Sequence, residues 1–196
     1  TMNKTITAAS LALALGAGPG AAAAEDAPYT VVELGRSYGR LQDAVDAIGD
    51  RMATIRIAPG THHDCAIQRA GDIAFVAATD RPTSLVGRAC EDKAALVLRG
   101  RSARVEGLTF AGMTSRDGNG AGIRLEHGNL LVRRSWFRDS QQGLLTASDP
   151  AGRVVIEGST FSRLGTCAFP GGCAHSVYVG DYGELVITDS RFEAGA

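Results

Sequence analysis

The stretches Val105-Glu106-Gly107-Leu108-Thr109-Phe110, Val132-Arg133-Arg134-Ser135-Trp136-Phe137, Ile156-Glu157-Gly158-Ser159-Thr160-Phe161 and Ile187-Thr188-Asp189-Ser190-Arg191-Phe192 follow one pattern. An aliphatic residue is followed by two variable positions, a small residue (Leu108 in the first copy), a variable one and Phe. Successive Phe residues lie 27, 24 and 31 positions apart, and upstream of each repeat comes a second short strand: 96–99, 123–126, 144–147 and 177–180. A period of this length, punctuated by Gly, Asp, Asn and Ser and holding at least two strands and no helix, marks a solenoid whose coils pair in parallel. A right-handed parallel β-helix fits best. Stacking equivalent positions at about 4.8 Å predicts an interior ladder of Phe110, Phe137, Phe161 and Phe192 and a small-residue ladder of Ser135, Ser159 and Ser190. On the outside, Glu106, Arg133 and Glu157 form a column of alternating charge. A β-sandwich explains short strands but not four equivalent Phe positions.

The rest of the chain is consistent with one all-β domain. It has 196 residues, a hydrophobic content of 44% and a net charge of -1, which excludes a disordered chain and gives no basic footprint for nucleic acid. Lysine is confined to Lys4 and Lys93, so positive charge is carried by arginine, the better bidentate partner for carboxylates. Residues 1–24 read as a signal peptide: Lys4, an apolar run from Ile6 to Gly16, and Ala22-Ala23-Ala24 before Glu25. The run is too short to span a bilayer. The mature chain is therefore expected to be secreted or periplasmic, without a membrane span, and monomeric. Residues 25–53 form a lead-in and capping helix, in which Ser37 is placed to cap a helix whose Leu41, Ala44, Val45 and Ile48 share one face and which Gly49 ends. Residues 54–196 form the coils, and the stop shortly after Phe192 reads as an incomplete C-terminal end.

Export permits disulfides. Cys65 and Cys90 are about one coil apart, and Cys167 and Cys173 enclose a Pro-Gly-Gly turn, so these are the expected pairs. The cysteines lack the CxxC spacing of a zinc site, and no metal site is expected. Asp117-Gly118-Asn119-Gly120-Ala121-Gly122 precedes a strand and lacks the Lys of a phosphate loop, so it reads as a turn. Asp117 and Asn119 are the only calcium candidates in it, two oxygens where calcium prefers six to eight. No other cofactor is expected.

The order of helix, strand 54–57 and Ala58-Pro59-Gly60-Thr61 resembles the entry segment of pectin-lyase-like β-helix proteins. More narrowly, residues 30–196 look like the secreted bacterial right-handed parallel β-helix repeat proteins, to which no activity is generally assigned. Length variation sits at one corner, after each Phe, so the groove beside 122–126, 143–147 and 176–180 is the expected binding surface. Its outward column is Val97, Arg124, Leu145 and Tyr178, and Glu126, His127, Asp181 and His175 lie around it. Ala174 to Gly183 is similar in outline to the Gly-His-Gly strand of polygalacturonases, with Ala174 and Ser176 in place of the glycines. The paired carboxylates of glycoside hydrolysis are missing. Elimination needs less: Arg124 to bind a uronate carboxylate, Tyr178 to stack on or protonate the sugar and His175 as base, with Glu126, His127 and Asp181 binding substrate. The expected function is thus action on, or binding of, an acidic polysaccharide or cell-surface glycan, with a uronate lyase as the catalytic form. The alternative is a non-catalytic glycan-binding or envelope and adhesin-like solenoid.

Overall fold

A computed structural model of the chain describes residues 27–165 and 173–195. The proposed signal peptide and Cys167 lie outside the described residues. Strands β1 (Tyr29–Val31) and β2 (Arg36–Tyr38) form a hairpin, followed by helix α1 (Leu41–Ile48). Five complete three-stranded coils follow. They are β3 (Met52–Ile57), β4 (Gly60–His62) and β5 (Ala66–Gln68); β6 (Asp72–Ala77), β7 (Thr83–Val86) and β8 (Ala94–Leu98); β9 (Ser102–Glu106), β10 (Thr109–Ala111) and β11 (Ala121–Leu125). The fourth and fifth coils are β12 (Asn129–Arg133), β13 (Trp136–Ser140) and β14 (Gln142–Thr146), then β15 (Asp149–Glu157), β16 (Thr160–Leu164) and β17 (Val177–Tyr178). Strands β18 (Tyr182–Thr188) and β19 (Arg191–Glu193) begin a sixth turn. First, second and third strands of successive coils pair in parallel, giving three sheets that enclose one apolar interior. The protein is a β-solenoid.

The repeat register is the one expected. Phe110 pairs with Phe137, Phe137 with Phe161 and Phe161 with Phe192, and the stacked ring centroids are 4.9, 4.7 and 4.8 Å apart. The serine ladder also forms: the backbone N–H of Ser135 donates to Ser159 Oγ and that of Ser159 to Ser190 Oγ, each at 3.2 Å. These bonds satisfy backbone donors at a corner where no strand partner reaches them. The six-residue motif is a bend and not a single strand. Its aliphatic residue is the last but one of a first-sheet strand, and its Phe lies in a second-sheet strand. Between them, Gly107, Arg134, Gly158 and Asp189 all adopt positive φ, 70°, 43°, 56° and 50°. In the outer column, Arg133 pairs with Glu157 (Nε to Oε2, 2.6 Å), whereas Glu106 is held by Arg104 and Arg134.

Two expectations at the N-terminal end need correction. Ser37 does not cap α1; it lies in β2, its Oγ 2.8 Å from Thr30 Oγ1. The first-turn donor of Leu41 is instead satisfied by Asp64 Oδ2 at 2.7 Å, a cap supplied by the first coil. The apolar face of α1 is as expected, with Leu41, Ala44, Val45 and Ile48 buried in the common core. The first coil also starts earlier than residue 54, since β3 begins at Met52.

The aromatic ladder needs space opposite it, and Gly122 supplies it. A Cβ there would lie 2.7 Å from Phe137 Cδ1 and 2.9 Å from Phe110 Cβ. Gly122→Ala is therefore expected to lower unfolding stability by about 1 to 3 kcal/mol through overpacking. Gly39→Ala, where nothing lies within 4 Å, is the control and should change it by less than about 0.5. Equal losses in urea titrations of the two would show that the ring positions do not constrain residue 122.

Candidate functional site

The third sheet carries the expected residues on its outer face because Val97, Arg124, Leu145 and Tyr178 are in register across four adjacent strands. Arg124 and Tyr178 are thus two rungs apart, about 10 Å at the usual strand spacing. The face is not an open groove along its length. Val97 and Leu145 are 0% and 5% exposed, packed with Ala94, Ala121, Ile67 and Cys90. At one end of this patch a disulfide between Cys65 and Cys90, with Cα atoms 5.6 Å apart, ties the segment before β8 to the coil beneath it. Cys90 then forms an antiparallel bridge with Ala94. Cys173 is itself disulfide-bonded.

That segment brings charge with it. Glu91 bonds Arg99 and Lys93, and Glu126 takes Arg99 Nε at 2.6 Å and Lys93 Nζ at 2.8 Å. The Arg99 hydrogen bonds hold the Glu91 carboxyl at about 2, well below its ordinary value. Burial works against ionisation of Glu126, yet the bonds from Lys93 and Arg99 outweigh it and its pKa is lowered. Arg99 and Lys93 are therefore committed to carboxylates. Arg124 is different: its Nε lies 3.7 Å from Glu126 Oε1 and is a buried donor with no hydrogen-bond partner.

His175 and Tyr178 meet, their rings 5.7 Å apart and 18° from parallel, and Tyr178 is 50% exposed. The backbone N–H of His175 donates to Gln142 Oε1 at 3.1 Å, but no hydrogen bond fixes its ring among the described residues. Asp181 is exposed, and its carbonyl accepts the backbone N–H of Asp149 at 2.8 Å. His127 meets Asp149 at the bend between the third and first sheets, its Nδ1 2.8 Å from Asp149 Oδ2.

Asp149 and Tyr182 are the polar groups here that sequence reasoning did not single out. The Asp149 carboxylate accepts backbone N–H groups from Gly128 at 2.8 Å and Ala151 at 3.3 Å. The Gly128 bond foremost lowers its pKa. Tyr182 pairs with Asp149 across the coils, and its hydroxyl is buried without a hydrogen-bond partner. Burial first, then the charge of Asp149, push its pKa to about 12, against the opposing pull of Arg124. Asp149-Pro150-Ala151-Gly152 has the composition of an Asx-type turn, the one signal that could have marked it.

The calcium candidates are exposed and bond within their own turn. Asp117 Oδ1 accepts from Ser115 Oγ at 2.6 Å and Oδ2 from Asn119 Nδ2 at 3.2 Å. Among the described residues no group of three or more His, Cys, Asp or Glu is arranged to hold a metal ion. A depression of about 750 Å³ lies elsewhere, on the outer face of the first sheet over Ala74, Leu131, Val155 and Val186. Its charges are engaged: Asp72 with Arg101, Arg104 with Glu106, Arg133 with Glu157 and Arg153 with Glu184. Among the described residues the buried donors without a hydrogen-bond partner are Arg124 Nε on the third sheet, Arg138 Nε on the second and the Tyr182 hydroxyl on the first, and of these Arg124 alone stands in the column that holds Tyr178. Among the described residues no helix is long and apolar enough to cross a membrane. No family model, curated protein or solved structure matches the chain.

Proposed function

We propose that this solenoid is an exported, monomeric protein of the pectin-lyase-like kind that binds an acidic polysaccharide on the outer face of its third sheet and cleaves it by elimination. The observation that carries the reading is Arg124, whose buried Nε has no acceptor on a face where Lys93 and Arg99 already have theirs. The side chain as a whole is 29% exposed, and a uronate carboxylate would pair with its guanidinium from the solvent side. Neutralising the carboxylate also stabilises the charge that develops when the adjacent ring proton is removed. Tyr178, half exposed and two rungs away, offers a flat apolar surface to a neighbouring sugar.

Binding of polygalacturonate, alginate and glycosaminoglycans by the full chain, with a neutral glucan as control, tests this. Arg124→Ala should weaken binding of the acidic chain by about 1.5 to 3 kcal/mol, the worth of a charged hydrogen-bonded contact, with little change in melting temperature. Arg124→Lys should restore charge but not the bidentate geometry, and fall between. Unchanged affinity in Arg124→Ala, or preference for the neutral glucan, overturns the reading. Binding without release of unsaturated uronate would instead support the non-catalytic glycan-binding role.

A further inference from the structure

We propose that the base of this site is His127, oriented by Asp149, a role that rests on the third-sheet face being a uronate site. The carboxylate of Asp149 is only 10% exposed and, being ionised, can only accept hydrogen bonds. The ring nitrogen 2.8 Å from it, Nδ1, must therefore carry the proton, which leaves the lone pair of the neutral ring on Nε2. Nε2 has no partner among the described residues, and the imidazole is 65% exposed. This is an imidazole held at one nitrogen and available at the other. His175, the base expected from sequence, has no such hold on its ring.

The bend that carries His127 is rigid. Gly128 adopts φ +81°, and a Cβ there would lie 2.2 Å from the carbonyl oxygen of Gly100. Its N–H is fixed to the same Asp149 oxygen that holds His127. The structural work of Asp149 is complete with the backbone donors of Gly128 and Ala151, so His127 is not needed to satisfy it. Nor does an exposed ring contribute to the core. The bend also adjoins the cation: Arg124 lies in β11, His127 two residues past the end of that strand, and Asp149 at the start of β15, where it pairs with Tyr182.

The reaction balances without a co-reactant. His127 Nε2 takes the ring proton next to the carboxylate held by Arg124. The electron pair of that C–H bond forms the C4–C5 double bond, and the C4–O glycosidic bond breaks. The proton on Nε2 then passes to the departing oxygen, giving one unsaturated uronate end and one new reducing end.

The test follows the ultraviolet absorbance of the unsaturated product beside binding of the same polygalacturonate or alginate. His127→Ala should lower kcat by about 10²- to 10⁴-fold with binding and melting temperature held, and free imidazole should restore part of the rate. Should His127→Ala fail to fold, His127→Gln takes its place. Asp149→Asn, which keeps an oxygen for the Gly128 N–H, should lower kcat with KM held. Full turnover in the His127 variants, with binding still dependent on Arg124, overturns the dyad and leaves the binding face standing. Loss of rate that imidazole does not restore, with turnover instead abolished by His175→Ala, also overturns it. If the wild-type chain binds no acidic polysaccharide, both the dyad and the reading beneath it fall.

Discussion

Phe137→Ala is expected to destabilise the solenoid by about 3 to 5 kcal/mol, the usual cost of deleting a buried aromatic ring together with the cavity it leaves. Phe137 is fully buried and sandwiched, 4.9 Å from the Phe110 ring and 4.7 Å from that of Phe161, with interplanar angles of 9° and 2°. Parallel pairing holds its neighbours at fixed rungs, so the site has little freedom to collapse. Net stabilities of domains run to about 5 to 15 kcal/mol, so a large share of the total is at stake. Phe192→Ala is the internal control. It stands in the same ladder, 4.8 Å from Phe161, but is 47% exposed, so its loss should stay below about 2 kcal/mol. Equilibrium urea titration, with unchanged slope in both variants, separates the two. Equal losses would mean that ladder position and not burial sets the cost, contrary to this account.

The ladder was legible because Phe, unlike Leu or Val, stands out when it recurs at one place. The same column continues into earlier coils, where Leu85 pairs with Phe110 and His62 with Leu85, and there the signal fades. The three-strand organisation was hidden for a related reason. A motif that spans a bend shows its apolar residues at both ends of the bend, and periodicity alone reads them as one element. What the eye takes for a variable third position is held in the left-handed region in every copy, by Gly107 and Gly158 as readily as by Arg134 and Asp189. Side-chain identity conceals that constraint, because the parallel ladders on either side impose it. The Asp64 cap on α1 was out of reach similarly, being 23 residues from Leu41 and joined to it only by the fold.

For the site, sequence placed Arg124 and Tyr178 on one outward column because register follows from the repeat. It could not show which donors remain unpaired, since that depends on how far the segment carrying Glu91 and Lys93 folds back over the sheet. Nor could it join His127 to Asp149, which are on successive coils and meet only where the bend of one overlies the bend of the next. Strand register propagates from coil to coil, whereas bend chemistry must be built afresh each time. That is why the columns were readable and the dyad was not.

Replacing Cys65 and Cys90 together by Ala is expected to cost about 3 to 4 kcal/mol, the loop-entropy value for a bridge closing a segment of 25 residues. In a chain of this length that lowers the melting temperature by on the order of 10 °C. The loss should not spread evenly. Strands β5 and β8 stay paired without the bridge, through Ala66 with Leu96 and Ile67 with Val97, so the coils themselves persist. What loosens is the segment between β7 and β8, whose Cys90 packs against the apolar cluster of Ala94 and Val97 and which presents Glu91 and Lys93 to Arg99 and Glu126. Hydrogen exchange should therefore rise first at Cys90 and Ala94, where the bridge-side backbone bonds lie, before any change in the Phe ladder. The double variant separates this bridge from that of Cys173, which a reductant would also open. A loss below about 1 kcal/mol would show that the Glu91, Lys93, Arg99 and Glu126 ion pairs hold the segment unaided. Exposed ion pairs seldom contribute more than that, which is why the covalent tie is assigned the larger share.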